Sequence, residues 1–174
     1  MWVNLKAYDV NYQLVYESGA YDFSSDVLNE SEFVKIYEVK QGLSDDLAQE
    51  LNLPVGPSFF FALNNIVVKD NRIPPRGYLQ STYDQPGLRP VGMVYSDGQY
   101  WDETEYSLPN EAVFIRAILY YQTSSKEYVD FLVQYGGVDG VEMSRLWQES
   151  KSPPVVMASV WFPNYPVFVP IIVR

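Results

Sequence analysis

Apolar side chains in this chain come in short alternating runs, each closed by a turn signal, and that pattern forces most of it into β-strands. Residues 2–8 alternate large and polar side chains, Asp9-Val10-Asn11-Tyr12 offers a turn, and residues 13–17 return as a hairpin partner ending at Ser18-Gly19. Residues 20–32 are polar and acidic and read as a loop, before residues 33–39 resume the period of two. Ser44 is expected to cap a short helix, with Asp45 and Asp46 at its positive end, Leu43, Leu47 and Leu51 one turn apart, and Pro54 as the stop. Residues 59–63 and 66–68 read as buried strand, whereas Pro74-Pro75 forces residues 71–77 into a loop. Residues 91–95 and Tyr100-Trp101 read as short strands divided by the hairpin signal Asp97-Gly98. Residues 112–121 are the most apolar run, broken only by Arg116, and read as a central strand.

Two helices are expected near residues 124–150. Ser124 with Glu127 forms a capping box before Tyr128, Phe131, Leu132 and Tyr135, and Gly136-Gly137 closes the helix. Asp139 and Glu142 repeat the box, with Leu146 and Trp147 inward and Pro153-Pro154 as the stop. Residues 155–162 and 166–173 return to strand. Many short strands with few helices argue for a mainly β fold: an antiparallel, immunoglobulin-like β-sandwich with short helical insertions. A parallel βαβ sheet fits less well, because helices do not alternate with strands. The 174 residues fit a single domain, 1–174. In a C-terminal edge strand at residues 165–173, Pro166 and Pro170 both remove their N–H from one side, which suits a sheet border.

Composition narrows the chemistry. Hydrophobic residues make up 47% and aromatic residues 16%, so the chain has ample material for a core. Twelve Lys+Arg against twenty-two Asp+Glu give a net charge of −10, a field that repels nucleic acid and anionic lipid. No apolar run is long enough to cross a bilayer as a helix. The chain has no Cys and no His. Within it there is therefore no C-x-x-C-H haem attachment, no thiol nucleophile, no Ser-His-Asp triad and no His-bound haem or zinc. No cofactor is expected in this chain. A strand pattern starting directly at Met1-Trp2 is expected of a domain detached from a longer protein, with any export signal upstream.

Several segments, taken in order, resemble the C-terminal β-rich domain of bacterial multihaem c-type cytochromes. They are Gln13-Leu14-Val15-Tyr16-Glu17-Ser18-Gly19, Lys35-Ile36-Tyr37-Glu38, Lys69-Asp70-Asn71-Arg72-Ile73-Pro74-Pro75-Arg76-Gly77-Tyr78, Leu119-Tyr120-Tyr121-Gln122-Thr123 and Pro153-Pro154-Val155-Val156-Met157-Ala158. The third is the most specific. In that family the haem-binding segments lie upstream and carry C-x-x-C-H motifs, so the resemblance covers only the appended β domain. It implies an exported protein, periplasmic or at the cell surface, and an accessory domain that packs on or presents a redox module.

Two constellations carry chemistry worth weighing. Arg72 and Arg76 could grip a carboxylate such as a haem propionate, or instead pair with local acids and satisfy backbone carbonyls. Tyr100 and Trp101 could stack on a sugar, and the nearby Asp97 and Asp102 are weak calcium candidates, though the spacing fails the EF-hand pattern. A solvated hairpin with its aromatics in the core explains the same residues. Arg116 within an apolar strand demands a partner, because burying it unpaired costs several kcal/mol or more, and a core ion pair is the expectation. The function expected is a non-enzymatic accessory and protein-interaction domain of an exported multihaem cytochrome. The alternative is a stand-alone carbohydrate- or calcium-binding module.

Overall fold

The computed structural model describes residues 1–31, 33–85, 88–150, 152–163 and 171–173. The mainly β architecture with short helical insertions is what they show: eleven strands and three short helices, with all strand pairs antiparallel. Their contacts group them into two compact units. The first takes Met1–Ile36 and the described residues from 105 to 163; the second takes Tyr37–Thr104 and residues 171–173.

In the first unit β1 (Trp2–Tyr8) lies between β2 (Leu14–Ser18) and β9 (Phe114–Tyr121), and β10 (Val155–Pro163) adds to the far side of β9. A central strand buries both faces, which is why Trp2, Val3, Leu5 and Ala7 are all buried. The Trp2 indole stacks between Tyr21 and Tyr120, at centroid distances of 5.7 and 5.4 Å. Its Nε1 donates to the Gly19 carbonyl, and Asn4 Nδ2 donates to the carbonyls of Ser18 and Gly19. Gly19 has a φ of 70°, and a Cβ there would lie 2.4 Å from the Val3 carbonyl oxygen, so only glycine fits. A small hairpin, β3 (Tyr21–Asp22) with β4 (Val27–Leu28), completes the strands of this unit.

Helices α2 (Lys126–Tyr135) and α3 (Gly137–Ser150) are inserted between β9 and β10. The cap of α2 is Ser125, one residue later than the expected Ser124: its Oγ accepts from the Tyr128 N–H. Trp147 is buried as expected, but Leu146 is 47% exposed. The two helices meet at Gly140, where a Cβ would collide with the Leu132 carbonyl.

The second unit holds β5 (Val39–Leu43) between β6 (Gly56–Pro57) and β7 (Ile66–Asp70), the short helix α1 (Asp45–Leu51), and β8 (Asp102–Thr104) paired with β11 (Ile171–Val173). Ser44 does not cap α1 through its side chain; its Oγ accepts from Asn65 Nδ2 instead. Residues 59–63 are not a buried strand. Ser58 Oγ accepts from the Phe60 N–H and Asn64 Nδ2 donates to the Ser58 carbonyl, so local side-chain bonds hold this segment in turns, with Phe61 exposed. Residues 33–38 do not form the expected strand; Ile36 bridges Trp2, and the strand begins at Val39. Of the edge strand expected at residues 165–173, residues 165–170 lie outside the described residues, and 171–173 form β11. Among the described residues no helix is long and apolar enough to cross a membrane.

Candidate functional site

The segment that carries the most specific resemblance, residues 69–78, leaves β7 in a loop of the second unit that is held chiefly at Asp70, Asn71, Arg72 and Tyr78. Asp70 keeps two backbone bonds with Val91, at 2.8 and 2.9 Å. Its carboxylate takes Arg72 in a fork, Nε to Oδ1 at 2.8 Å and Nη2 to Oδ2 at 2.6 Å. Asn71, buried, accepts the Glu38 N–H on its Oδ1 and donates its own N–H to the Glu38 carbonyl. The Tyr95 hydroxyl donates to the Asn71 carbonyl at 2.9 Å. Farther along, the Gly98 N–H donates to the Tyr78 carbonyl, and the Gln80 N–H donates to Asp97 Oδ1 at 2.7 Å. Gly77 and Gly98 both take positive φ, 83° and 79°, at the two turns.

This wiring separates the two arginines. Arg72 is absorbed by Asp70, the local-acid role weighed for it. Arg76 is exposed, and its guanidinium lies 5.0 Å from the centre of the Tyr100 ring, a cation–π contact. Tyr100 in turn meets Trp101 edge-on at 5.3 Å. The structure thus brings Arg76, Tyr100 and Trp101 together, and one face of Tyr100 already carries the arginine. The turn at Asp97-Gly98 forms, yet the expected strands at residues 91–95 and Tyr100-Trp101 do not: Val91 makes an isolated bridge with Asp70, and the Gln99 side chain accepts the Ser96 N–H and donates to the Trp101 carbonyl.

The two calcium candidates are engaged otherwise. Asp97 accepts the Gln80 N–H, and Asp102 is buried with Oδ1 accepting the Glu103 N–H. Among the described residues no three acidic side chains gather where an ion could sit. Burial, and next the Asp102 charge, pushes the Tyr37 phenol well above its ordinary range.

No family model matches this chain. No curated protein matches it either. Among solved structures it has a loose likeness to the crystal structure of a penta-heme cytochrome c552 from Thermochromatium tepidum, at 14% identity and a TM-score of 0.43. The matched region covers 94% of this chain and 30% of that one, so this chain spans less than a third of that protein's length.

Sequence reasoning overlooked Asn71, Tyr95 and Glu38, the residues that hold the loop. The available signal was an Asp-Asn pair directly before Arg, since such side chains bond nearby backbone. It also missed the surroundings of Arg116. No carboxylate meets that arginine among the described residues; its guanidinium lies 5.2 Å from the centre of the Trp161 ring, and its Nε is unpaired. The expected core ion pair is thus replaced by an aromatic contact. The sheet places Trp161 directly across from Arg116, which no local pattern reveals.

The Asp70–Arg72 fork yields a pH prediction. Burial raises the Asp70 carboxyl, but the bonds from Arg72 outweigh it and hold the group below its usual range. A depressed folded pKa contributes stability above about pH 4, the unfolded value, and that contribution fades as pH falls through the folded value. Asp70→Asn is expected to cost about 1 kcal/mol at pH 7, discounted because Arg72 is largely exposed. The gap from the unaltered chain should narrow below pH 4. Urea midpoints at the two pH values check this; a gap that is constant with pH counts against the fork.

Proposed function

We propose that this chain is a non-enzymatic accessory domain that packs on, or presents, the redox module of an exported multihaem cytochrome, making contact through the exposed Arg76 and its neighbours Tyr100 and Trp101. The observation that carries this reading is the loop of residues 69–78. The stretch most specific to the resemblance is tied down by hydrogen bonds at Asp70, Asn71 and Arg72, and it holds one cation, Arg76, outward on an aromatic base. Pre-organised Arg and aromatic side chains are what protein interfaces use as anchors, and an arginine held this way suits a carboxylate such as a haem propionate. The chain itself supplies no Cys or His to attach or ligate haem. The iron chemistry therefore belongs to the module it contacts, whether upstream in the same polypeptide or on another chain.

The native protein tests this. Antibody against this chain should draw out, from cell extract, a polypeptide that stains for covalent haem. It would be the same polypeptide if the domain is appended, or a partner held without detergent-resistant linkage if it is not. Arg76→Ala with Tyr100→Ala should weaken capture of a separate partner by roughly tenfold or more while leaving the melting temperature nearly unchanged. Absence of covalent haem from the native captured material sinks the proposal.

A further inference from the structure

Among the described residues strand β10 is a sheet edge, and no charge guards it. It pairs with β9 on one side and, among the described residues, with nothing on the other. None of its residues from Val155 to Pro163 is charged, and its apolar side chains stand in solvent: Val156 is 51% exposed, Val160 48% and Trp161 53%. Edge strands in free-standing proteins are ordinarily guarded by a charge, a proline or a bulge. Here a bulge lies between Val156 and Ala158 and Pro163 closes the end, which leaves residues 158–162 as regular strand with no charge on them.

The sheet also carries an unbalanced positive charge beside that edge. Lys6, Arg116 and Trp161 lie side by side in one row across β1, β9 and β10. Lys6 is matched by Glu17 at 3.2 Å. Arg116 instead leans over Trp161, toward the open edge, with no carboxylate against it among the described residues. In a chain with twenty-two acids and twelve bases, a cation left without an acid is an invitation to one from outside.

We propose that β10 is a strand-addition site: an extended segment of a partner protein pairs with residues 158–162 and sets a carboxylate side chain in the row of Arg116 and Trp161. Main-chain hydrogen bonds along the edge supply affinity, and the carboxylate on Arg116 supplies register and specificity. A second copy of this chain fits less well. Its own β10 brings no acid to Arg116, and two molecules each of net charge −10 repel. The inference concerns a surface separate from Arg76 and needs no haem, so it stands or falls apart from the function proposed above.

The test uses three synthetic peptides, Thr-Val-Thr-Xaa-Thr-Val-Thr with Glu, Gln or Lys at the centre, titrated into the full chain by Trp fluorescence and amide hydrogen exchange. The Glu peptide should bind roughly tenfold tighter than the Gln peptide, with Lys weakest, and should slow exchange in residues 158–162. Arg116→Met should erase the preference for Glu. Val160→Glu, at an exposed position, should weaken the Glu peptide without moving the melting temperature. Failure of all three peptides to bind at millimolar concentration overturns the proposal, as do equal affinities for Glu and Gln, protection elsewhere than β10, or a Glu preference that survives in Arg116→Met. Should that variant not fold, the peptide series on the unaltered chain decides alone.

Discussion

Leu5→Ala is expected to destabilise the first unit by about 2 to 5 kcal/mol, the largest single-residue loss foreseen here. Leu5 sits in the middle of β1, itself between β2 and β9, and is 2% exposed. Removing its branched end leaves a void walled by a sheet whose strands are tied on both sides, so little can collapse inward. The lost transfer energy and the void both count. For a chain whose total stability is of the order of 5 to 15 kcal/mol, that is a large fraction. Thermal melting followed by Trp fluorescence should show a drop on the order of 10 °C. Val10→Ala, at a position 71% exposed, is the control and should stay within about 0.5 kcal/mol. Equal effects at the two positions would mean that β1 is not the centre of this sheet.

The second large effect appears in alkali. Burial raises the phenols of Tyr95 and Tyr106, each pushed up to about 12, and that of Tyr37 further still. An acid whose folded pKa lies above its unfolded value contributes stability that is fully present below the unfolded value, near pH 10, and lost as pH rises toward the folded one. Unfolded phenols ionise in that window while the buried ones stay protonated, which favours the unfolded chain. Stability should therefore be flat up to about pH 10 and fall steeply between about 10 and 12. Tyr95, almost wholly buried, accounts for on the order of 2 kcal/mol of that fall. Phenolate absorbance and circular dichroism followed together should show these side chains ionising only as the fold is lost. Tyr37→Phe with Tyr95→Phe should move the alkaline midpoint upward, although Tyr95→Phe gives up the hydrogen bond to the Asn71 carbonyl and lowers stability at neutral pH by about 1 kcal/mol. Titration of all tyrosines at pH 10 with the fold intact would contradict the burial of these rings.

The two effects touch different kinds of legibility. Leu5 belongs to an alternating run that announces a strand, and its pairing with the run after the Asp9 turn was readable from turn chemistry. The phenols were not readable. Nothing local distinguishes Tyr37 and Tyr95, both buried, or Tyr106, whose hydroxyl is buried, from Tyr12, which is 65% exposed. Their burial depends on which distant segments cover them.

What the sequence determined by itself follows from local physics and from inventory. Period-two alternation set β1, β2, β9 and β10, and turn chemistry set the Asp97-Gly98 turn, the proline-held loop of residues 71–77 and the glycine break between α2 and α3. The lack of Cys and His excludes whole classes of chemistry within the chain, whatever its fold. Tertiary structure decided the rest, because partners far apart along the chain compete with local preference. Residues 59–63 have the composition of a buried strand, but bonds to Ser58 from the Phe60 N–H and from Asn64 Nδ2 hold them in turns. Arg72 and Arg76 look alike in sequence; Asp70, fixed against Val91 by the fold, claims one and leaves the other on Tyr100. Arg116 sits in an apolar run that promised an ion pair. Only the register of β9 against β10 sets Trp161 beside it, since side-chain neighbours across a sheet are fixed by strand pairing and not by distance along the chain.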